Sequence, residues 1–425
     1  MKPYQGKKLL VLGGKPIGSV ELVQRARELG AYVIVADYLS ASESPAKNEA
    51  DEAWNISTSE VDVLAGMCRE HGVSGVLTAV HEFNINRMID LCELLGYPCY
   101  CSRETWKYCD NKLDFKALCQ RHNIPVAQKY DVDFNDEQGL ASLDYPVIVK
   151  PVDGSGSRGF KICHSAEELS LGYENALSYS PAKKVIVEDY IPYDAVIIHY
   201  TMTNGKCCFS GMSDKYSSRF ASTGASVMGL QLFPSKGQEI YLNKFNKNVE
   251  LMFEKAGFSD GPIWIEAFYN GEDKFIFNEM GYRFGGSLTY YPVLYFYGFN
   301  QLDMMISVAM GERGVEKRCS RITPLQRYCI LPIHIHPGNI AKIEGVSKLM
   351  ARDDVYAYVP VHYLGDIIEN WGSAQQVFCY LHILFNDIES LICSVKSALD
   401  TIKVYDSNGN NLLYTLFTIE NLKKC

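Results

Sequence analysis

The chain has 425 residues, 47% of them hydrophobic and 21% charged, room for about two to four domains with ordinary buried cores. Its net charge of −9 argues against a phosphate-backbone binder, so no nucleic-acid partner is expected. No apolar run reaches the roughly 18 residues of a membrane-spanning helix, and the polar Met1–Lys8 start, broken after Leu12 by Gly13-Gly14, does not read as a secretory leader. The fourteen cysteines are scattered, several inside apolar runs (Cys92, Cys119, Cys329, Cys379), which fits reduced thiols used as small core residues in a cytoplasmic protein. Cys99 and Cys101 form a C-x-C beside Tyr100 but lack the second pair or histidine of a zinc set.

In chain order, Lys8–Leu12 and Tyr32–Ala36 read as buried parallel strands. Between them Leu22, Val23, Ala26 and Leu29 recur at helical spacing, with Gly30 placed to end the helix. Gly75–Val80 reads as a further strand, and Ile85, Met88, Ile89, Cys92 and Leu95 as an amphipathic helix closed by Gly96. This alternation predicts a parallel α/β domain over residues 1–102. The turn Gly13-Gly14-Lys15-Pro16-Ile17-Gly18 is neither G-x-G-x-x-G nor a P-loop. Asp37 admits two readings, a ribose contact or a solvated loop acid. His81, Glu82 and Asn84 are candidates for substrate contact or, equally, for capping the helix that follows.

After about Ser102 the pattern changes. A helix over Lys112–Arg121 leads to an extended segment, Ile124–Tyr130. Strand patterns then dominate at Pro146–Lys150, Phe160–Cys163, Lys184–Glu188, Ala195–Thr203, Ile263–Tyr269 and Lys274–Met280. Ser165 and Glu168 open a helix with capping-box spacing, and one long helix is expected over Ile240–Ala256. A third block runs from about residue 316 to the end, with a turn at Asp406–Asn410. His334 and His336 share a strand face there, too few ligands for a metal site.

The segment Tyr145-Pro-Val-Ile-Val-Lys150-Pro-Val-Asp-Gly154-Ser155-Gly156-Ser157-Arg-Gly159-Phe puts a lysine at the end of a buried strand and a glycine-serine loop after it. Such a loop can set bare N–H groups against phosphate oxygens; a plain hairpin turn with a surface lysine is the other reading. Further on, Ile263-Trp-Ile-Glu266-Ala-Phe and Phe275-Ile-Phe-Asn278-Glu279-Met are joined by Asn270-Gly271-Glu272-Asp273, a hairpin signal. A two-residue loop sets Glu266 and Glu279 directly opposite, and a four-residue loop makes them diagonal neighbours. Either way they share a face with Trp264, Phe268, Phe275 and Phe277, and Asn278 points to the other side. Paired acids on an apolar face are costly unless a cation joins them, and hard oxygen ligands suit Mg²⁺; two solvated strand-end acids are the alternative. Arg283 follows, suited to phosphate or a developing oxyanion. Tyr216, Arg219, Tyr290 and Tyr291 are expected either to shape a pocket or simply to pack.

Taken as an ordered set, these residues resemble the ATP-grasp superfamily, in the branch of carbamoyl-phosphate synthase large subunits, biotin carboxylase and the amino-acid ligases. The resemblance implies a multidomain α/β and α+β protein: a Rossmann-like domain before the ATP-grasp domain (1–102), the ATP-grasp domain (103–315, with a nucleotide lid about 125–200), and a small strand-rich C-terminal domain (316–425). Asp110-Asn111-Lys112 with Phe115 and Ile124-Pro125 resembles a segment whose lysine contacts ATP phosphate. Lys150 resembles the second nucleotide lysine, and Gly154, Ser155, Gly156, Ser157 and Gly159 the phosphate-covering loop. Glu188, Tyr190 and Ile191 resemble the adenine linker, and Asp194 a ribose-binding acid. Glu266 and Glu279 resemble the magnesium glutamates, and Arg283 the arginine that follows them. One position departs: Gly281 stands where the family has asparagine, so a third oxygen ligand is missing.

The activity so implied is ATP-dependent formation of a C–N bond, with Mg²⁺ (or Mn²⁺ in its place). A small-molecule carboxylate attacks the γ-phosphorus, an amine attacks the acyl phosphate, and ADP and phosphate leave. Arg283 and Lys150 are expected to act on the reacting groups. A bicarbonate-using carboxylase of the same superfamily and a nucleotide-binding subunit without turnover are the alternatives. A homodimer is compatible with all of them.

Overall fold

The computed structural model describes residues 2–153, 159–221, 226–312 and 326–423. The chain opens on four short parallel strands, β1 (Lys8–Leu12), β2 (Tyr32–Asp37), β3 (Glu52–Asn55) and β4 (Gly75–Leu77), in the order β3-β2-β1-β4. Leu9–Leu12 and Val33–Ala36 are wholly buried, as strands covered on both faces must be. The helix Glu82–Leu95 ends at Gly96, whose φ of 67° completes a left-handed cap. These strands pair in parallel and alternate with helices along the chain.

A second, antiparallel sheet contains β5 (Lys129–Tyr130), β6 (Val147–Pro151), β7 (Lys161–Cys163) and β8 (Val185–Asp189), ordered β5-β8-β6-β7. Val147, Val149 and Val187 pack with Leu169 and Ala176 of the helix Ala166–Tyr179, a small core of its own. It falls within the stretch expected to form a lid.

The largest sheet gathers β9 (Asp194–Thr203), β10 (Lys206–Arg219), β11 (Ser226–Phe233), β12 (Gly261–Tyr269), β13 (Phe275–Gly281) and β14 (Arg327–Ile335). It runs β13-β12-β9-β10-β11-β14 and continues through Val377–Phe385 to Val355–Pro360, with Leu413–Tyr414 also paired to β14. The boundary expected near 315 lies in 313–325, outside the described residues. The sheet itself crosses from the central to the C-terminal block through Gln231↔Ile330 and Leu232↔Cys329. The Asp406–Asn410 turn is present, closed by Asp406 N donating to Asn410 O at 3.0 Å.

Two expectations change. The long helix over 240–256 is two helices, Gln238–Lys244 and Asn246–Lys255, broken at Phe245. The Phe245 ring stacks on Tyr241 and packs against Phe275 and Phe277, so aromatic burial overrides helical continuity. The sequence pattern does not predict strands β10 and β11; on β10, Ser210, Gly211, Ser213, Asp214 and Lys215 break the apolar alternation that marks a strand.

Candidate active site

A cavity of about 870 Å³ lies between the four-stranded sheet, the large sheet and the helix Lys112–Arg121. Lys112, Lys150, Glu188, Tyr190, Ile191, Asp194, Glu266, Glu279 and Arg283 all line it. Of the covering loop, Gly154 to Ser157 lie outside the described residues. Gly159 is described but is not part of the lining; its φ is 72°, and a Cβ there would sit 2.8 Å from Tyr179.

One end of the cavity is apolar. Ile148 and Ile162 are register partners on β6 and β7, and with Phe160, Ile276, Tyr190, Ile191 and Pro192 they line a wall suited to a flat heterocycle. Strand alternation places Lys150 on the same side of β6 as Ile148. Lys150 ion-pairs with Glu188 and donates to Asn278 Oδ1 at 2.9 Å. Glu188 is buried and also pairs with Lys116. Its carboxylate is therefore held by two lysines. Burial raises the Glu188 carboxyl, but Lys150 and Lys116 outweigh it and the net direction is down. Burial, then Lys150, pull the Lys116 ammonium down to about 8 against the attraction of Glu188.

Lys116 went unrecognised in the sequence, although its signal was present: four residues after Lys112, it lies on the same helix face.

At the other end, Glu266 and Glu279 are direct cross-strand partners. They reach that position by an unexpected route. The ladder pairs Ala267 with Phe277 and then Glu266 with Glu279, so Asn278 is an extra residue on β13. Such a bulge turns two consecutive side chains to one side. The expectation that Asn278 points away is therefore overturned: its Nδ2 donates to Glu266 Oε1 at 2.9 Å. The shared face holds Trp264, Glu266, Phe268, Ile276, Asn278 and Glu279, whereas Phe275 and Phe277 belong to the opposite face, packed on Tyr241 and Phe245.

Two carboxylates about 5 Å apart repel by about 3 kcal/mol at an effective dielectric near 20. Lysines offset this here: Lys215 donates to Glu266 Oε2 at 2.5 Å, and Lys112 Nζ lies 3.7 Å from Glu279 Oε2. Burial raises the Glu266 carboxyl; Lys215 and the Asn278 amide reverse this and hold it below the usual carboxylate range. Among the described residues no group of three or more acidic, histidine or cysteine side chains is placed to hold a metal. Two opposed carboxylates still fit Mg²⁺, which takes one or two carboxylates and completes its shell with phosphate oxygens and waters.

Gly281 is explained by packing. A Cβ there would lie 2.4 Å from Trp264 Cε2 and Nε1, so the indole occupies the space an asparagine side chain would need. The Arg283 guanidinium lies 5.3 Å from the Trp264 ring centroid. It donates to Phe284 O at 2.8 Å and to Glu82 Oε1 at 2.8 Å, tying the site to the first domain.

The remaining candidates divide. Glu82, Tyr216 and Arg219 line the cavity. Asn84 is structural: it donates to Leu12 O and accepts from Thr58 Oγ1. Tyr290 and Tyr291 stack on each other beside Phe284 and His382, away from the cavity. Asp37 is buried, accepts from Gly14 N, Leu39 N and Ser44 Oγ, and is not part of the cavity lining. His334 is buried between Phe220 and Tyr414, and His336 stacks on Tyr414.

A family model described as an ATP-grasp domain matches residues 143–290. The formate-dependent phosphoribosylglycinamide formyltransferase of Wolinella succinogenes is 24% identical over 203 residues, 47% of this chain and 51% of that protein. The chain spans about half the length of the curated relatives it matches. Among solved structures, the biotin carboxylase domain of the Hydrogenobacter thermophilus 2-oxoglutarate carboxylase aligns with a TM-score of 0.79 at 18% identity, covering 98% of this chain and 94% of that one. The L-amino acid ligase of Bacillus licheniformis aligns with a TM-score of 0.73 at 18% identity, covering 95% and 100%.

Proposed function

Starting from a chain that carries an ATP-grasp domain within an ATP-grasp fold, we propose that it is an ATP-dependent carboxylate-amine ligase. The observation that carries this reading is one cavity in which an apolar wall, the lysines Lys112, Lys116 and Lys150, and the opposed pair Glu266 and Glu279 meet. Lys112, Lys116 and Lys150 supply positive charge for the triphosphate, and Glu188 fixes the last two in place. Glu266 and Glu279 would hold Mg²⁺, or Mn²⁺ in its place, which supplies neutralisation of phosphate charge.

A small-molecule carboxylate oxygen attacks the γ-phosphorus and ADP departs. Arg283, held by Phe284 O and Glu82, stabilises the acyl phosphate and the oxyanion formed as the amine nitrogen adds. Phosphate then leaves and the amine loses a proton. The solved structure of the L-amino acid ligase supports an amine acceptor, and free thiols throughout the described residues support a cytoplasmic setting. A homodimer, as in the Hydrogenobacter domain, is checked by light scattering.

The test is ADP release with Mg·ATP over a panel of carboxylates and amines, with mass detection of the amide and bicarbonate as a parallel arm. Amide formation with a carboxylate–amine pair is the expected result. ADP release with bicarbonate alone favours the carboxylase reading, and none under any mixture defeats both.

A further inference from the structure

Beside the paired glutamates lies a patch of polar atoms that the site as described leaves unused. Lys215 and Gln231 are direct partners on β10 and β11, and Ser213 stands two residues before Lys215 on the same side of its strand. Ile197 pairs with both Glu266 and Ser213, so Glu266, Ser213, Lys215 and Gln231 occupy one face of the large sheet. Ser213 and Gln231 are almost wholly buried. Yet Ser213 Oγ and Gln231 Oε1 have no hydrogen-bond partner among the described residues. A buried polar group left unpaired costs about 1–3 kcal/mol, so each such atom calls for an explanation.

We propose that Lys215 has two seats: in the empty site its ammonium fills the place beside Glu266, and it yields that place to a divalent cation by moving onto Ser213 Oγ and Gln231 Oε1. The inference rests on the metal role given above to Glu266 and Glu279, and not on the identity of any carboxylate or amine. The lysine stem is long enough for both positions, since opposed Cβ atoms on neighbouring strands are about 5 Å apart. Moving is also required by charge. A divalent cation on Glu266 repels an ammonium held against the same carboxylate, and a buried ammonium with no acceptor is costly. Both target atoms are oxygens able to accept, and neither has a partner among the described residues.

The measurement is Mn²⁺ binding to the full chain, read by electron paramagnetic resonance of the free ion without nucleotide or turnover. Replacing both acceptors (Ser213→Ala with Gln231→Leu) removes the second seat and is expected to weaken Mn²⁺ at least about fivefold. Thermal stability should hold or rise, because both atoms are unpaired in the empty site. In a Lys215→Gln background the same two substitutions should change affinity less than about twofold, since no ammonium remains to be displaced. Equal weakening in both backgrounds, or no change in either, overturns the proposal. So does a Mn²⁺-bound crystal structure with Lys215 still on Glu266. If the wild-type chain takes up no Mn²⁺ even with ATP, the metal assignment fails as well. If it binds Mn²⁺ as expected but releases no ADP with any substrate, only the ligase reading fails.

Discussion

Two lysine–carboxylate knots share the cavity, and they are built in opposite proportions. On the nucleotide side one buried acid, Glu188, lies between Lys116 and Lys150. On the β12–β13 side two acids, Glu266 and Glu279, each meet a lysine from another element, Lys215 and Lys112. The first knot carries one more cation than it needs and is set for an anion. The second is balanced only while its lysines stay, and replacing one by a divalent ion needs no new charge on the protein. Under the metal role proposed above, the ratio of acids to bases separates a structural carboxylate from one that would meet a ligand, although each of the three acids has a lysine partner.

The strongest way to break this contrast is to neutralise one acid on each side. Glu266→Gln is expected to lower ADP release about 10³-fold or more with the fold intact, the effect of losing several kcal/mol of metal-assisted stabilisation; a variant with full turnover would dissolve the distinction. Glu188→Gln strands two buried lysines and is expected to lower the unfolding free energy by about 3 kcal/mol or more, read from urea midpoints. A smaller effect belongs to Gly281→Asn, which drives its Cβ into Trp264. It should cost about 2 kcal/mol in the same assay, and less when combined with Trp264→Ala.

The mildest test uses pH. Lys116 is pulled down to about 8, chiefly by burial, and in its proposed role it meets phosphate in the protonated form. ATP affinity is therefore complete below about pH 8 and falls as pH rises above it, by at most about tenfold per pH unit. Lys116→Met should flatten that slope in calorimetric titrations.

How far the sequence carried the site follows from what periodicity can encode. Glu266 and Glu279 were legible because a hairpin signal and alternation by twos bring them together whichever loop closes the ribbon. Asn278 was misplaced because a bulge is a local break in that alternation, and nothing in Phe275–Glu279 announces it. Lys215 was missed for a related reason: β10 mixes serine, glycine and charge, so its residues could not be assigned to faces until its neighbours were known. The parallel strands of the first domain were the easiest to read, since burial on both faces leaves unbroken apolar runs.

The hydrogen-bonded seam between β11 and β14 bears on how the protein can be dissected. Stopping the chain at residue 315 would strip the partner from β11 and expose its backbone N–H and C=O groups together with the apolar side chains of Leu230 and Leu232. A bare strand edge of that kind templates pairing with other chains. Fragments of the central block alone should therefore self-associate, and laboratory truncations are better made within the first domain's surface loops than at this seam.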